Sequence, residues 1–119
     1  MQRNWDVVRA LLLRIEEEKT DDAELYPQDF PPIDEARAAY HLRLMHKAGL
    51  IDGTLIDALG ASSFIATGLT WDGHEFLDAL RSKTVWNKIK EVARQKGIEL
   101  SFDAIKVLGK VALAALLAS

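Results

Sequence analysis

Tyr40–Gly53 reads YHLRLMHKAGLIDG, a run in which apolar and basic residues recur at helical spacing until a glycine and an apolar pair end it. Upstream, Asp34 can accept from the orphan N–H groups of a first helical turn, and Gly49 suits the left-handed conformation through which a chain leaves a helix. One helix is therefore predicted between them. At about 100° per residue, Ala38, Leu42, Met45 and Gly49 fall on one side and Ala36, Tyr40, Arg43 and Lys47 on the other. The first set is a core face, and the second is aromatic and basic.

Working outward, Asn4 is placed to cap a helix in which Trp5, Val8, Leu12 and Ile15 recur at three and four spacing, with Val7 and Leu11 widening the face. Glu16, Glu17 and Glu18 end it in solvent. Thr20 to Pro32 holds Pro27, Pro31 and Pro32, so it must be irregular or contain a short edge strand. Beyond Gly49, the runs Leu50–Ala58 and Phe64–Thr70 flank LGASS and predict a β-hairpin with a flexible tip that includes Ser62 and Ser63. Thr70 or Asp72 caps the next helix. With Glu75 three residues on, Asp72 makes a capping box, and Phe76, Leu77 and Leu80 form the inner face. Thr84 opens a further helix, with Val85, Ile89, Val92 and Ala93 inward and Gly97 as its stop. Trp71 and Trp86 are expected to bury against neighbouring elements.

Ser101 begins the last helix. Asp103, Lys106 and Lys110 mark a narrow polar stripe, and from Val111 to Ala118 nothing polar occurs on any side. Such a helix has to be covered. The cover is either the core of the same chain or a two-fold copy, with Leu108, Val111, Leu113, Leu116 and Leu117 as candidate contacts.

The chain has 119 residues and no cysteine, which fits one compact domain and excludes disulfides and thiolate metal sites. No secretory layout is visible at the N-terminus and the reading is cytoplasmic. The unbroken apolar run near the C-terminus is too short to span a bilayer. The net charge of −3 hides a gradient. From residue 49 to 82, Asp52, Asp57, Asp72, Glu75 and Asp78 face a single base, Arg81, whereas residues 83 to 119 carry seven bases against three acids.

Helix, irregular segment, helix, hairpin, helix is the order of a winged helix-turn-helix. The expected architecture is thus mainly α with a small β-hairpin. Residues 1–82 form a winged-helix core and 83–119 a helical extension that packs on it or forms a dimer. YHLRLMHKAGLI resembles the recognition-helix signature of winged-helix regulators. GLTWDGHEFLDALR (Gly68–Arg81) followed by TVWNKIKEVARQKG (Thr84–Gly97) resembles a bacterial and prophage family of hypothetical proteins, the domain of unknown function numbered twenty-five thirteen. Leu69, Thr70, Gly73 and Leu77 match a segment common to many winged helices, and Val85–Lys88 is the more distinctive part. The resemblance implies a fold and no established activity.

On these residues the leading expectation is a DNA-binding regulatory protein, with Arg37, Tyr40, Arg43 and Lys47 in or beside a major groove. The alternative is a non-catalytic protein-interaction module on the same scaffold. Three features bear on the choice. No Lys or Arg occurs between Lys47 and Arg81, Asp34 and Glu35 occupy the helix end that would enter the groove first, and the proline-bearing segment leaves little room for a positioning helix. Catalysis is not expected, because no phosphate loop exists and the Asp72, Glu75, Asp78 series is explained by acidic charge near a helix start. His41 and His46 diverge by roughly 140° on a helix and cannot share an ion. His74 with Asp78 is a surface pair lacking a third ligand, so no metal, cofactor or small-molecule ligand is inferred.

Overall fold

The computed structural model describes residues 1–58 and 61–118. It is mainly helical with one two-stranded antiparallel hairpin. The elements run α1 (Trp5–Glu16), a 3-10 turn (Pro27–Asp29), α2 (Glu35–Lys47), β1 (Ile51–Ala58), β2 (Ala61–Leu69), α3 (Trp71–Leu80), α4 (Lys83–Lys96) and α5 (Phe102–Ala118). They form two compact units, the first ending at His74 and the second beginning at Glu75.

In the first unit, the predicted caps of α1 and α2 make their hydrogen bonds. Asn4 Oδ1 accepts from the N–H groups of Asp6 (2.9 Å) and Val7 (3.2 Å), and the Asp34 carboxylate accepts from Ala36 (3.2 Å) and Arg37 (3.3 Å). Gly49 ends α2 at φ +78°. Helix α1 packs on α2 and β2, and α2 packs on both strands and on the 3-10 turn. Val8, Leu11, Leu12 and Ile15 of α1, and Ala38, Leu42 and Met45 of α2, are buried. So are Leu50, Ile51, Phe64 and Ala66 around the hairpin, and Leu25 and Phe30 before α2. The proline-bearing segment takes both forms open to it. Leu25 exchanges two 2.8 Å backbone hydrogen bonds with Ala66, a one-residue edge strand beside β2, and the 3-10 turn follows.

The hairpin register steps at Asp52/Gly53. A Cβ on Gly53 would run into the Phe64 ring and the Ile65 carbonyl, so the bulge needs glycine where the aromatic ring crosses the strand. Strand β2 begins at Ala61, with Ile56 opposite Ser63 and Asp57 opposite Ser62. Ser62 and Ser63 are therefore strand residues and not a loop tip, because the ladder continues beyond the apolar run. The predicted tip at Leu59 and Gly60 lies outside the described residues.

Of the two caps offered for α3 one is used, and the start of α4 shifts by one residue. Thr70, not Asp72, caps α3. Its Oγ1 accepts from Gly73 N–H (2.9 Å) while its O–H donates to the Gly49 carbonyl (2.6 Å), and its N–H donates to Leu50 (3.1 Å). One threonine thus ties the end of α2 to the start of α3. Asp72 lies within the first turn, where its charge still suits the helix dipole. Ser82 likewise caps α4, accepting from Val85 N–H (3.3 Å), so that helix starts at Lys83, one residue before Thr84.

In the second unit α4 and α5 pack together; Trp86, Ile89, Val92 and Ala93 of α4 are buried, and so are Ile105, Leu108, Gly109 and Ala112 of α5. Gly97 turns the chain at φ +66°, and the Phe76 and Phe102 rings stack at 4.5 Å. The two tryptophans part company. Trp86 is buried, as expected, but Trp71 is 79% exposed. It occupies the first position of α3, and the inner face of that helix is supplied by residues further along. Among the described residues, no helix is long and apolar enough to cross a membrane.

Candidate nucleic-acid interface

Helix α2 is held from the inside by a histidine whose hydrogen bonds go to backbone, as its sequence position suggests. His41 is fully buried, although its place in the sequence suggests only a boundary position. Asn4 N–H donates to its Nε2 (2.9 Å), and its Nδ1 lies 2.8 Å from the Arg37 carbonyl. With Nε2 accepting, Nδ1 must carry the proton and donate to Arg37, which fixes a neutral tautomer. Both ring nitrogens are thereby spent on backbone, joining the capped start of α1 to the second turn of α2. Burial pushes the imidazole below its ordinary value of 6.5, the Arg37 backbone hydrogen bond opposes that, and the Arg37 charge adds to the lowering. Tyr40 meets His41 edge-on, ring centroids 5.4 Å apart.

The outer face follows from that anchorage. Arg37 and Lys47 are exposed, and Tyr40 and Arg43 are half-buried. The four predicted contact residues share one side of one helix, and Arg37 to Lys47 covers about 15 Å at 1.5 Å per residue. Asp34 and Glu35 sit at its N-terminal end, with the Asp34 carboxylate engaged in capping. Asp52 and Asp57 of β1 are exposed. At the other end of α2, the His46 ring tilts against Phe64 at 4.9 Å, which fastens the last turn to β2.

Other candidate chemistry has structural partners. Asp78 pairs with Arg81 at 2.7 Å. Among the described residues no group of three His, Cys, Asp or Glu side chains is placed to hold a metal ion, and no buried side-chain nitrogen or oxygen lacks a hydrogen bond. A cavity of about 390 Å³ lies beside the end of α1 and the base of the hairpin, lined by Glu16, Asp21, Leu25, Asp52, Thr67 and His74 among others. Sequence reasoning missed it, since its walls come from segments far apart in the chain. Of the predicted interface residues, Leu108 is buried within the protein and Leu116 is half-buried, whereas Val111, Leu113 and Leu117 are exposed.

These features define a mainly helical protein that displays a basic and aromatic helix face beside an antiparallel hairpin. Residues 2–99 match the family described as Hypothetical protein (DUF2513), and the chain belongs to that family. It is 40% identical over 118 residues to an uncharacterized protein of Haemophilus influenzae, covering 99% of this chain and 100% of that relative. No solved structure matches.

Proposed function

We propose that the protein is a non-catalytic, cytoplasmic nucleic-acid-binding regulator on a winged-helix scaffold, with the outer face of α2 laid against duplex. The observation that carries this reading is the alignment of Arg37, Tyr40, Arg43 and Lys47 on one side of a helix whose opposite side is pinned by Ala38, Leu42 and Met45. A span of about 15 Å compares with a major groove about 12 Å wide. In this arrangement Lys47 and Arg37 meet phosphates, Arg43 meets a guanine edge or phosphate, and Tyr40 packs between them. The order of helix, edge strand, turn, helix and hairpin supports the scaffold. A 3-10 turn stands where a helix-turn-helix would place its positioning helix, and α1 and the hairpin hold α2 instead.

Chemistry sets the expected strength. Three cations on α2 neutralise at most about three phosphates, giving a salt slope of roughly −3 in log K against log salt. The hairpin, with Asp52 and Asp57, contributes no grip. Binding is therefore expected to be modest and weakly selective for sequence. Mobility shifts with mixed-sequence duplex at two salt concentrations test this. Arg43→Ala and Lys47→Ala each weaken binding and each reduce the slope by about one. The acidic hairpin and its half-exposed Leu55 favour a second reading, an adaptor for a protein partner, and absence of duplex binding even at low salt would replace the first reading with that one.

A further inference from the structure

We infer, on the reading of α2 as a duplex-binding face, that Arg3 is a fourth phosphate contact of that surface, carried to the Arg37 edge of α2 by the residues that lead into α1. The link is the His41 ring. Its Nε2 accepts from Asn4 N–H at 2.9 Å and its Nδ1 lies 2.8 Å from the Arg37 carbonyl, so the backbone of Asn4 stands one imidazole away from the backbone of Arg37. At about 100° per residue, Arg37 lies about 40° from the buried His41 and about 60° from Tyr40 on the outer face. Asn4 therefore docks where the core side of α2 gives way to its basic side. It is held there twice, because its Oδ1 also caps α1 through the N–H groups of Asp6 and Val7.

Arg3 is the residue before this anchor. Its side chain is exposed, and the guanidinium lies over the Trp5 ring with Cζ 4.5 Å from the centroid. Stacking uses the flat face of the guanidinium, whereas its N–H donors point outward in the plane. The group is thus ordered on one face and open along its edge, which is the edge that donates two parallel hydrogen bonds to a phosphate. Part of the rotamer entropy that a free arginine would lose on contact has been given up in the stack. Charge chooses the ligand and the place. Asp6, Asp34 and Glu35 are the acids of the first turns of α1 and α2, and a phosphate backbone can approach that end only where cations outweigh them. Arg3 beside Arg37 supplies that pair, so the strand contacted by Lys47 at one end of α2 is met by two guanidinium groups at the other.

Fluorescence anisotropy of a labelled mixed-sequence duplex, titrated with the full chain from about 25 to about 200 mM salt, tests this. Four contacts are expected to give a slope of about −3.6 in log K against log salt, and Arg3→Ala to reduce its magnitude by about 0.9 and weaken binding about fivefold at low salt. Arg3→Lys keeps the charge and the slope but loses the planar fork, and is expected to bind about twofold more weakly than wild type. Lys19→Ala removes an exposed positive charge beyond the other end of α1 and is expected to change neither slope nor affinity. Circular dichroism melts accompany each variant, because a stack that only steadies α1 would lower the melting temperature and leave the slope alone. An Arg3→Ala slope equal to that of wild type overturns the inference, and if Arg43→Ala still weakens binding the reading of α2 stands without it. Equal losses from Arg3→Ala and Lys19→Ala also overturn it, since they mark diffuse charge and no contact. A wild-type chain that binds no duplex even at low salt overturns both.

Discussion

Helices α2 and α5 solve opposite problems. In α2 the inside and outside are written in different residue types, and every side has an assignment. Leu42 and Met45 lie in the core, His41 bonds to backbone on both edges of its ring, and the basic residues face out. In α5 the buried residues Ile105, Leu108 and Ala112 are chemically like the exposed Val107, Leu113 and Leu117. Apolar periodicity locates a buried face only where polar residues mark the other one. Where they do not, the helix has capacity for a second contact, and its partner is a matter of tertiary or quaternary structure.

That contrast can be broken by measurement. The largest effect is expected at the centre of α2. Leu42→Ala should cost about 2–5 kcal/mol of unfolding free energy in urea, because the site is fully enclosed. A loss below about 1 kcal/mol there would show that α2 is not held as described. Gly49→Ala comes next, at about 1 kcal/mol or slightly more. Nothing crowds a Cβ at that position, so the cost is the positive φ alone, and Gly49→Asn should recover part of it.

The His41 link then sharpens the picture through pH. A lowered pKa means that the unfolded chain binds the proton more readily than the folded one. The His41 contribution is therefore complete above 6.5 and is lost as pH falls below it towards the folded-state value. Urea midpoints should decline between about pH 7.5 and pH 5, above the range where carboxylates dominate. His41→Gln, although less stable at neutral pH, should show a flatter profile over that interval. An identical profile would remove His41 from the account. The smallest effect is expected at Leu117→Ala, within about 0.5 kcal/mol for the isolated chain.

Sequence offered both Thr70 and Asp72 as the cap of α3, and Thr70 serves because its hydroxyl also reaches Gly49 across the junction with α2, a contact between residues far apart in the chain. The Leu-Thr-x-x-Gly segment gains its physical meaning only there. A Cβ on Gly73 would strike the Leu50 carbonyl, so the glycine lets the start of α3 lie against the chain leaving α2. Trp71 was expected inside because large aromatics favour burial, and its exposure follows from its place at the first position of α3. The charged and aromatic face of α2 was fully legible, since it depends on residue order and helical period alone. The burial of His41 was not, because it requires Asn4 to arrive from the other end of the unit.

Residue order by itself determined where α1 and α2 start and stop, which side of α2 turns inward, that a hairpin follows Gly49, and that α5 lacks a polar side beyond Lys110. All of these are consequences of local sterics and periodicity within a few turns of chain. Only the tertiary structure decided that Leu25 joins β2, that one threonine fastens α2 to α3, that a neutral imidazole locks α1 to α2, and which apolar residues of α5 remain in solvent. Those outcomes depend on hydrogen bonds and packing between segments whose separation along the chain carries no record of their distance in space.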